Sequence, residues 1–390
     1  MRLKVLACIA VVLAVTLTQE ADQIEATEHC TIYVLLDKKP TPDNGVLWTL
    51  SSEKGFVIKD LMQPQRCDTI TATTLELEVE NGRLLINKRR GPKQISIEPI
   101  AEELSHGGSS YAGSINIIYK DNTWYLVNGV GLEDYVCGVL GSESWPGWPL
   151  EVNKVFAIIF RSYVIAKRIE AREKKRLGRD FIYDVLNTNK HQTYKGSHTH
   201  KILKQAVDDT RGIVLSHNHK PILAMYDACC GGIIPADMKG VNFTSAPYLA
   251  RPYACTFCEQ SCSYAWSATY TFPEIIDFIK AHDKRITSIH QIQITNRDKA
   301  GIVHEIMVRS GKKKFKISGK KTYSLFKNIK SYSFSVDKSA DGYVFKGKGF
   351  GHHLGLCQWG ARELVKRDWT CTNILNFYYP GTRLMKIAIS

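Results

Sequence analysis

One carboxylate in the sequence stands among large aromatic side chains. Glu143 lies close to Trp145 and Trp148, and Pro149 then opens a long apolar-periodic segment. A carboxyl group packed against indole rings is poorly hydrated, which raises its pKa. A carboxylic acid with a raised pKa can act as a general acid near neutral pH. The spacing therefore predicts a catalytic acid, in a loop before a helix, beside rings that suit a sugar. The alternative is a helix cap among core tryptophans.

A second candidate is the glycine-rich segment from Gly347 to Ala361. It contains five glycines together with His352, His353 and Gln358. Glycine permits positive φ and lets backbone N–H groups face a ligand. The segment predicts polar contacts to a ligand from the two histidines and the glutamine. A set of plain tight turns is the alternative.

The N-terminus is typical of an exported protein. Two cations, Arg2 and Lys4, precede about 14 apolar residues, which predicts a signal peptide over residues 1–21. Its removal takes away Cys8 and leaves ten of the eleven cysteines. No remaining apolar run reaches the ~18–20 residues of a membrane-spanning helix, so we expect none after cleavage. The predicted location is the periplasm, the cell envelope or the medium.

The cysteines allow two interpretations. Cys255, Cys258 and Cys262 lie close together, and Cys230 precedes them by about 25 residues. They form either disulfide bridges that staple a loop, or a structural zinc site with Cys230, Cys255, Cys258 and a fourth ligand such as Cys262. Export favours disulfides, so zinc is possible but not favoured, and no cofactor is expected to be required.

The formal net charge of +14 is dispersed over several runs of the 390 residues. No nucleic-acid-binding motif accompanies it, and an exported chain does not meet nucleic acid, so nucleic acid is not an expected partner. A positive surface suits adhesion to an anionic cell envelope.

The apolar patterning predicts an α+β fold with mostly antiparallel strands and a few helices, in two lobes around a substrate cleft. Residues 29–105 alternate in strand-like runs and predict an N-terminal β-rich domain, with a hairpin at Asn81-Gly82. Apolar residues at spacings of three and four predict a long helix from Pro149. Further helices are expected at about 201–209, at 273–282 and from Gln358.

Several motifs, in order, resemble the stage II sporulation protein D family, which also includes the amidase-enhancer proteins. The resemblance covers about residues 113–385, which it marks as a peptidoglycan-acting domain. At Gly351–Ala361 the family's second glycine is replaced by His353. The matching motifs are Leu132-Glu-Asp-Tyr-Val-x-Gly-Val139, Ser142-Glu143, a helix over Glu151–Tyr163, Gln192-Thr-Tyr-Lys-Gly196 and Gly351–Ala361.

The resemblance implies a peptidoglycan lytic transglycosylase that cleaves peptide-stripped glycan strands to 1,6-anhydromuramyl products. It places the catalytic glutamate at Glu143. The substrate-binding residues expected around it are Arg161, Lys154, Trp145, Tyr163, His352, His353 and Gln358. Some relatives hold zinc with a cysteine and a histidine before the Gln-x-Tyr element, where this chain has only His191. The alternative function is a non-catalytic peptidoglycan-binding activator of a cell-wall amidase.

Overall fold

The computed structural model describes residues 30–42, 44–178, 181–280, 283–284 and 286–388. The predicted signal peptide, residues 1–21, lies outside the described residues. The fold is α+β, 24% helical and 37% strand, with mostly antiparallel sheets, as predicted. Within the described ranges, no helix combines the length and apolar character that a bilayer crossing needs.

The strands fall into two groups, those of the two larger sheets and those of the four smaller sheets. Those of the first group are β1 (Thr31–Pro40), β2 (Asn44–Ser51), β3 (Phe56–Asp60), β4 (Cys67–Ile70), β5 (Thr74–Glu80), β6 (Arg83–Ile86), β7 (Arg89–Arg90), β8 (Gln94–Pro99), β9 (Glu103–His106), β10 (Ser109–Ala112), β11 (Ser114–Lys120), β12 (Thr123–Gly131) and β13 (Val185–Leu186). Those of the second group are β14 (Ile213–His217), β15 (Lys220–Pro221), β16 (Tyr226–Asp227), β17 (Ala265–Thr271), β18 (Gln291–Arg297), β19 (Val303–Ser310), β20 (Lys313–Ser318), β21 (Phe334–Lys338), β22 (Gly342–Lys348), β23 (Leu356–Cys357) and β24 (Arg383–Lys386).

The α-helices of the described chain are α1 (Leu132–Glu143), α2 (Leu150–Arg176), α3 (Lys201–Asp209), α4 (Phe272–Lys280), α5 (Gly319–Leu325), α6 (Gln358–Val365) and α7 (Cys371–Tyr378). The helices expected from Pro149, at 201–209 and from Gln358 are confirmed. The helix expected at 273–282 is described from Phe272 to Lys280, and residues 281–282 lie outside the described ranges. The sequence did not predict α1, α5 or α7.

Asn81 and Gly82 form the predicted hairpin between β5 and β6. Their φ angles are 51° and 72°, and the strands pair from Glu80 and Arg83 outward. Two positive φ angles match the twist of a two-residue hairpin turn, and asparagine and glycine tolerate them best.

The predicted boundary after residue 105 does not separate two cores. The seven-stranded sheet has the order β13-β1-β12-β11-β8-β3-β4, so β11 and β12 lie between β1 and β8. Buried residues of this sheet pack with α1 and α2 in one hydrophobic core. Because β12 and β11 complete the pairing of the earlier strands, the β-rich region of residues 29–105 shares one sheet and one core with the residues after it.

A second hydrophobic core lies between residues 266 and 345. It is formed by α4, α5 and two three-stranded sheets, ordered β17-β22-β21 and β18-β19-β20. The predicted domain of residues 113–385 therefore contains this core as well as part of the first. The predicted arrangement of two lobes around a cleft stays a prediction.

The first half of α2 is buried on nearly all sides, which accounts for its large apolar residues. Phe156 and Phe160 have no exposed surface. Phe156 packs against Trp148, and Phe160 packs against Tyr226 with ring centroids 4.7 Å apart. Helix α2 thus supports Tyr226, whose hydroxyl is hydrogen-bonded to Glu143.

Candidate active site

Glu143 is the last residue of α1, whereas the sequence predicted a loop at this position. Its carboxylate accepts hydrogen bonds from the backbone N–H of Thr193 and from the hydroxyl of Tyr226. The residue as a whole is partly buried. Three distant parts of the chain therefore meet at one carboxyl group.

Burial raises the pKa of Glu143 above its ordinary value, and the hydrogen bonds from Tyr226 and Thr193 oppose this shift. Desolvation disfavours the charged form, whereas donors aimed at the carboxylate favour it. The net effect is a carboxyl group that keeps its proton to a higher pH than an exposed glutamate. This is the property that the sequence predicted for a general acid.

Tyrosine side chains surround Glu143. Burial raises the pKa of Tyr163 to about 12, and the negative charge of Glu143 adds to the shift. The same two causes raise the pKa of Tyr135 well above its ordinary value. The Tyr135 hydroxyl donates to Oε1 of Gln192 over 3.1 Å. These hydroxyls are therefore neutral at any pH near 7, and they place polar but uncharged groups near the carboxylate.

Gln358 lies at the start of α6 and holds the end of α1. Its Nε2 donates to the backbone carbonyl of Glu143 over 2.9 Å, and the side chain is almost fully buried. The structure thus brings Gln358 into contact with the main chain of Glu143, and its predicted substrate contact stays a prediction. This hydrogen bond fixes the backbone of Glu143 at the C-terminal end of α1.

His353 occupies a position that calls for glycine. Its φ is 68°, in the left-handed region. The strained backbone is held by two hydrogen bonds: its N–H donates to Oδ2 of Asp227 over 2.7 Å, and its Nδ1 lies 2.9 Å from the carbonyl of Cys230. Burial lowers the pKa of His353 to about 4, so the ring is neutral near pH 7. The side chain is buried, which gives it a supporting position beside the site.

His352 is only partly buried. Its Nδ1 accepts a hydrogen bond from the N–H of Leu354 over 3.1 Å. Burial lowers its pKa to about 4, and a hydrogen bond to the backbone of Tyr226 offsets part of the shift. The ring is therefore neutral and lies beside the strand that carries Tyr226 to Glu143.

Three tryptophans form a cluster next to Glu143. Trp145 is 42% exposed and stacks on Trp148 with ring centroids 4.4 Å apart. Trp359 meets Trp148 edge-on at 5.3 Å, and the Arg362 guanidinium lies over both of these rings. Trp148 belongs to the core, as the alternative interpretation expected, whereas Trp145 offers a ring to solvent two residues from Glu143.

Comparison with known proteins agrees with these motifs. A profile described as "Stage II sporulation protein" matches residues 120–217, and one described as "Domain of unknown function" matches residues 255–355. An uncharacterized protein of Brachyspira hyodysenteriae is 30% identical over 283 residues, which are 71% of this chain and 73% of that protein. Stage II sporulation protein D of Bacillus amyloliquefaciens is 26% identical over 285 residues, 68% of this chain and 76% of that protein.

The amidase enhancer of Bacillus subtilis is 26% identical over 364 residues, or 80% of this chain. The chain spans half of the length of that relative. The chain belongs to the stage II sporulation protein D and amidase enhancer family. The family's profile includes Glu143 and Thr193, whereas Tyr226 and Gln358 lie beyond its end.

Arg161 lies on the family's helix but has no exposed surface. Its Nε and Nη2 donate to the carboxylate of Glu133 at 3.0 and 2.5 Å, and its Nη1 donates to the carbonyl of Ile213 over 3.0 Å. A side chain without exposed surface has no atom to offer a substrate. The structure therefore does not support the predicted substrate contact and gives Arg161 a part in joining α2 to α1 and β14.

Lys154 makes ion pairs with two acidic side chains. Its Nζ lies 2.9 Å from a carboxylate oxygen of Glu151 and 2.9 Å from one of Asp209. The pair with Asp209 connects α2 with α3, whereas the pair with Glu151 lies within α2. The predicted substrate role of Lys154 has no support in this geometry.

The cysteines that cluster in the structure differ from the predicted zinc ligands in the fourth residue. Cys230, Cys255 and Cys258 come together with Cys357, which lies inside the family's C-terminal motif. Cys262 is exposed and does not belong to this group. None of the ten cysteines in the described residues is bonded to another, whereas the sequence favoured disulfides.

Two partners of Glu143 are not identifiable from the sequence. Nothing in the local sequence of Tyr226 distinguishes a catalytic hydroxyl from a core tyrosine. Thr193 contributes a backbone N–H, which no residue type can signal. Its position within Gln192–Gly196, an element of the family pattern, is the one available clue.

We expect the buried pair of Arg161 and Glu133 to dominate local stability. Arg161→Met leaves a carboxylate buried without its cation, which costs about 3–5 kcal/mol. The double variant Arg161→Met with Glu133→Leu removes both charges and should recover much of that loss. Urea unfolding of the single variants and the double variant measures the coupling. A double-variant loss equal to the sum of the two single-variant losses would show that the pair is not coupled.

Proposed function

We propose that the protein is an exported peptidoglycan lytic transglycosylase that cleaves glycan strands lacking stem peptides. The observation that carries the proposal is a single desolvated carboxyl group, Glu143, held by Thr193 and Tyr226. The family membership of the chain supports the same substrate class.

In the proposed reaction, Glu143 first donates its proton to the oxygen that joins N-acetylmuramic acid to N-acetylglucosamine. The bond from this oxygen to the muramyl C1 breaks, and positive charge develops at C1. Glu143, now ionised, takes the proton from the muramyl C6 hydroxyl as its oxygen forms a bond to C1. The product ends in a 1,6-anhydro ring, no water is consumed, and Glu143 is protonated again.

One carboxyl group suffices for this sequence because it acts as acid and then as base. Ordinary glycosidases use two carboxyl groups placed on either side of the bond. The groups that shift the pKa of Glu143 most are Tyr226 and Thr193, and no second carboxylate is among them. Tyr226 has a role in both halves of the reaction, since its hydroxyl stabilises the carboxylate that exists between the two proton transfers.

Binding of the glycan is proposed for the exposed face of Trp145 and for the neutral ring of His352. Flat aromatic rings and uncharged polar groups suit a sugar chain whose peptides have been removed. The positive net charge of the chain would attract the protein to an anionic envelope through long-range electrostatics.

As a second candidate function, the protein would bind glycan without cleaving it and activate a cell-wall amidase. The observation that favours it is the similarity to the amidase enhancer of Bacillus subtilis. Both functions use the same surface around Trp145, and they differ in whether Glu143 transfers a proton.

We expect Glu143→Gln to lower the rate of 1,6-anhydromuramyl formation by about 10²–10⁴-fold, because glutamine cannot donate and retrieve a proton. Mass spectrometry of peptide-free glycan digested by the purified protein measures the product. Glu151→Gln is the matched control, since Glu151 is an exposed glutamate of α2 that pairs with Lys154. Its rate should equal that of the wild type.

The stability of Glu143→Gln shows whether a lost activity reflects unfolding or a lost proton transfer. The pKa of Glu143 is raised in the folded state, so its ionisation destabilises the fold as pH rises. Glu143→Gln should therefore be at least as stable as the wild type at pH 7, as urea unfolding would measure. If wild type and Glu143→Gln both give no anhydro product but stimulate an added amidase equally, the activator function replaces the enzyme.

We expect Tyr226→Phe to move the alkaline limb of the pH–rate profile upward. The Tyr226 hydrogen bond lowers the pKa of Glu143, and a hydrogen bond to a charged group contributes about 1.5–3 kcal/mol. Its loss should raise the pKa of Glu143 and move the limb to higher pH. Tyr135→Phe is the control, because that hydroxyl donates to Gln192. A limb that moves equally in both variants would contradict a specific role for Tyr226.

A further inference from the structure

Four cysteine thiols from three parts of the chain converge in the first hydrophobic core. All four side chains are buried, and their sulfur atoms all lie within 4.8 Å of one another. They belong to the segment after β16, to the loop before β17, and to β23. The four are Cys230, Cys255, Cys258 and Cys357.

We propose that these four thiols hold a structural zinc ion. Tetrahedral zinc with four bonds of about 2.3 Å to sulfur requires sulfur atoms separated by about 3.8 Å. Sγ of Cys230 lies 3.7 Å from Sγ of Cys258. Disulfide bonding would instead draw the sulfur atoms together in pairs, at about 2.05 Å. A compact group of four thiols fits a single tetrahedral ion better than two separate bridges.

The surroundings of the thiols suit thiolate ligands. The N–H groups of Cys230 and Gly360 donate to Sγ of Cys357 over 3.3 and 3.4 Å. The hydroxyl of Tyr378 lies 3.2 Å from Sγ of Cys255. Cys357 caps the N-terminus of α6, where the helix dipole also favours a negative sulfur. Hydrogen-bond donors around metal-bound sulfur tune and orient such ligands.

The backbone at Gly360 packs closely against the four-thiol cluster. A Cβ at this position would lie 2.8 Å from Sγ of Cys255 and 2.1 Å from the hydroxyl of Tyr378. The glycine therefore leaves room for sulfur and for its donor at once. Four protein ligands in a buried setting leave no open coordination position, so the site is structural rather than catalytic.

The proposed zinc site is connected to the candidate active site through Cys357. Cys357 is followed directly by Gln358, which holds the carbonyl of Glu143. Cys357 also pairs with Asp227 in the β16–β23 ladder, next to Tyr226. A metal bound to Cys357 and to the three other thiols would lock these contacts together, whatever reaction the site performs.

The test begins with metal analysis of the full chain, exported and purified without reducing agent or chelator. We expect about one zinc per chain, and cobalt substitution should give the visible absorption of a tetrahedral thiolate site. A wild-type protein without metal, whose mass and peptide map show disulfides among the four cysteines, would overturn the proposal. Iron in place of zinc would overturn it too. None of these measurements depends on the proposed enzymatic activity.

Two single variants then assign the ligands. Cys357→Ser should retain less than about a tenth of the zinc under chelator challenge, since removal of a ligand weakens a four-thiolate site severely. Cys262→Ser is the matched control, because Cys262 is exposed, lies near Cys258 in sequence and is outside the group. It should keep the wild-type zinc content. Equal zinc in both variants would exclude Cys357 as a ligand, even if its variant were otherwise less stable.

Discussion

The candidate site depends on one short parallel pairing, that of β16 with β23. Tyr226 pairs with Leu356, and Asp227 pairs with Cys357. Two residue pairs are too few to form a stable ladder alone. Neighbouring contacts support it: the N–H of Leu356 donates to the carbonyl of Met225 over 3.1 Å. Without this pairing, neither the hydroxyl of Tyr226 nor the amide of Gln358 would meet Glu143.

Two glutamates of α1 show how position on one helix sets opposite electrostatic environments. Glu133 lies in the first turn, where the helix dipole favours a negative charge, and its carboxylate pairs with Arg161. Glu143 ends the helix, where the dipole disfavours a negative charge, and its partners are uncharged donors. Burial beside tyrosines then raises the pKa of Glu143. The first glutamate joins α1 to α2, whereas the second is left able to exchange a proton.

The sequence predicted those parts of the protein that local chemistry determines. Apolar periodicity located α2, and the Asn81-Gly82 pair located a hairpin, because both depend on neighbouring residues. The sequence predicted a carboxyl group desolvated by tryptophans, whereas the rings that interact with Glu143 in the structure are those of tyrosines. Arg161 illustrates the limit: its place in a family motif suggested a substrate contact, but whether a charged side chain is buried depends on partners such as Glu133, 28 residues away. Pairing between distant segments is not encoded in local patterns.

The C-terminal glycine-rich segment contributes a turn, a thiol and a contact to Glu143, and local sequence patterns do not show which residue has which role. His353 takes a left-handed conformation and donates its N–H to Asp227, so the next residues turn back toward β16. Four residues later Cys357 joins three other thiols, and Gln358 reaches the end of α1. The glycines in this segment permit the turn, and the contacts of His353, Cys357 and Gln358 determine the path of the chain. A replacement within this segment would therefore act on Glu143 through the backbone, at a distance from the reacting bond.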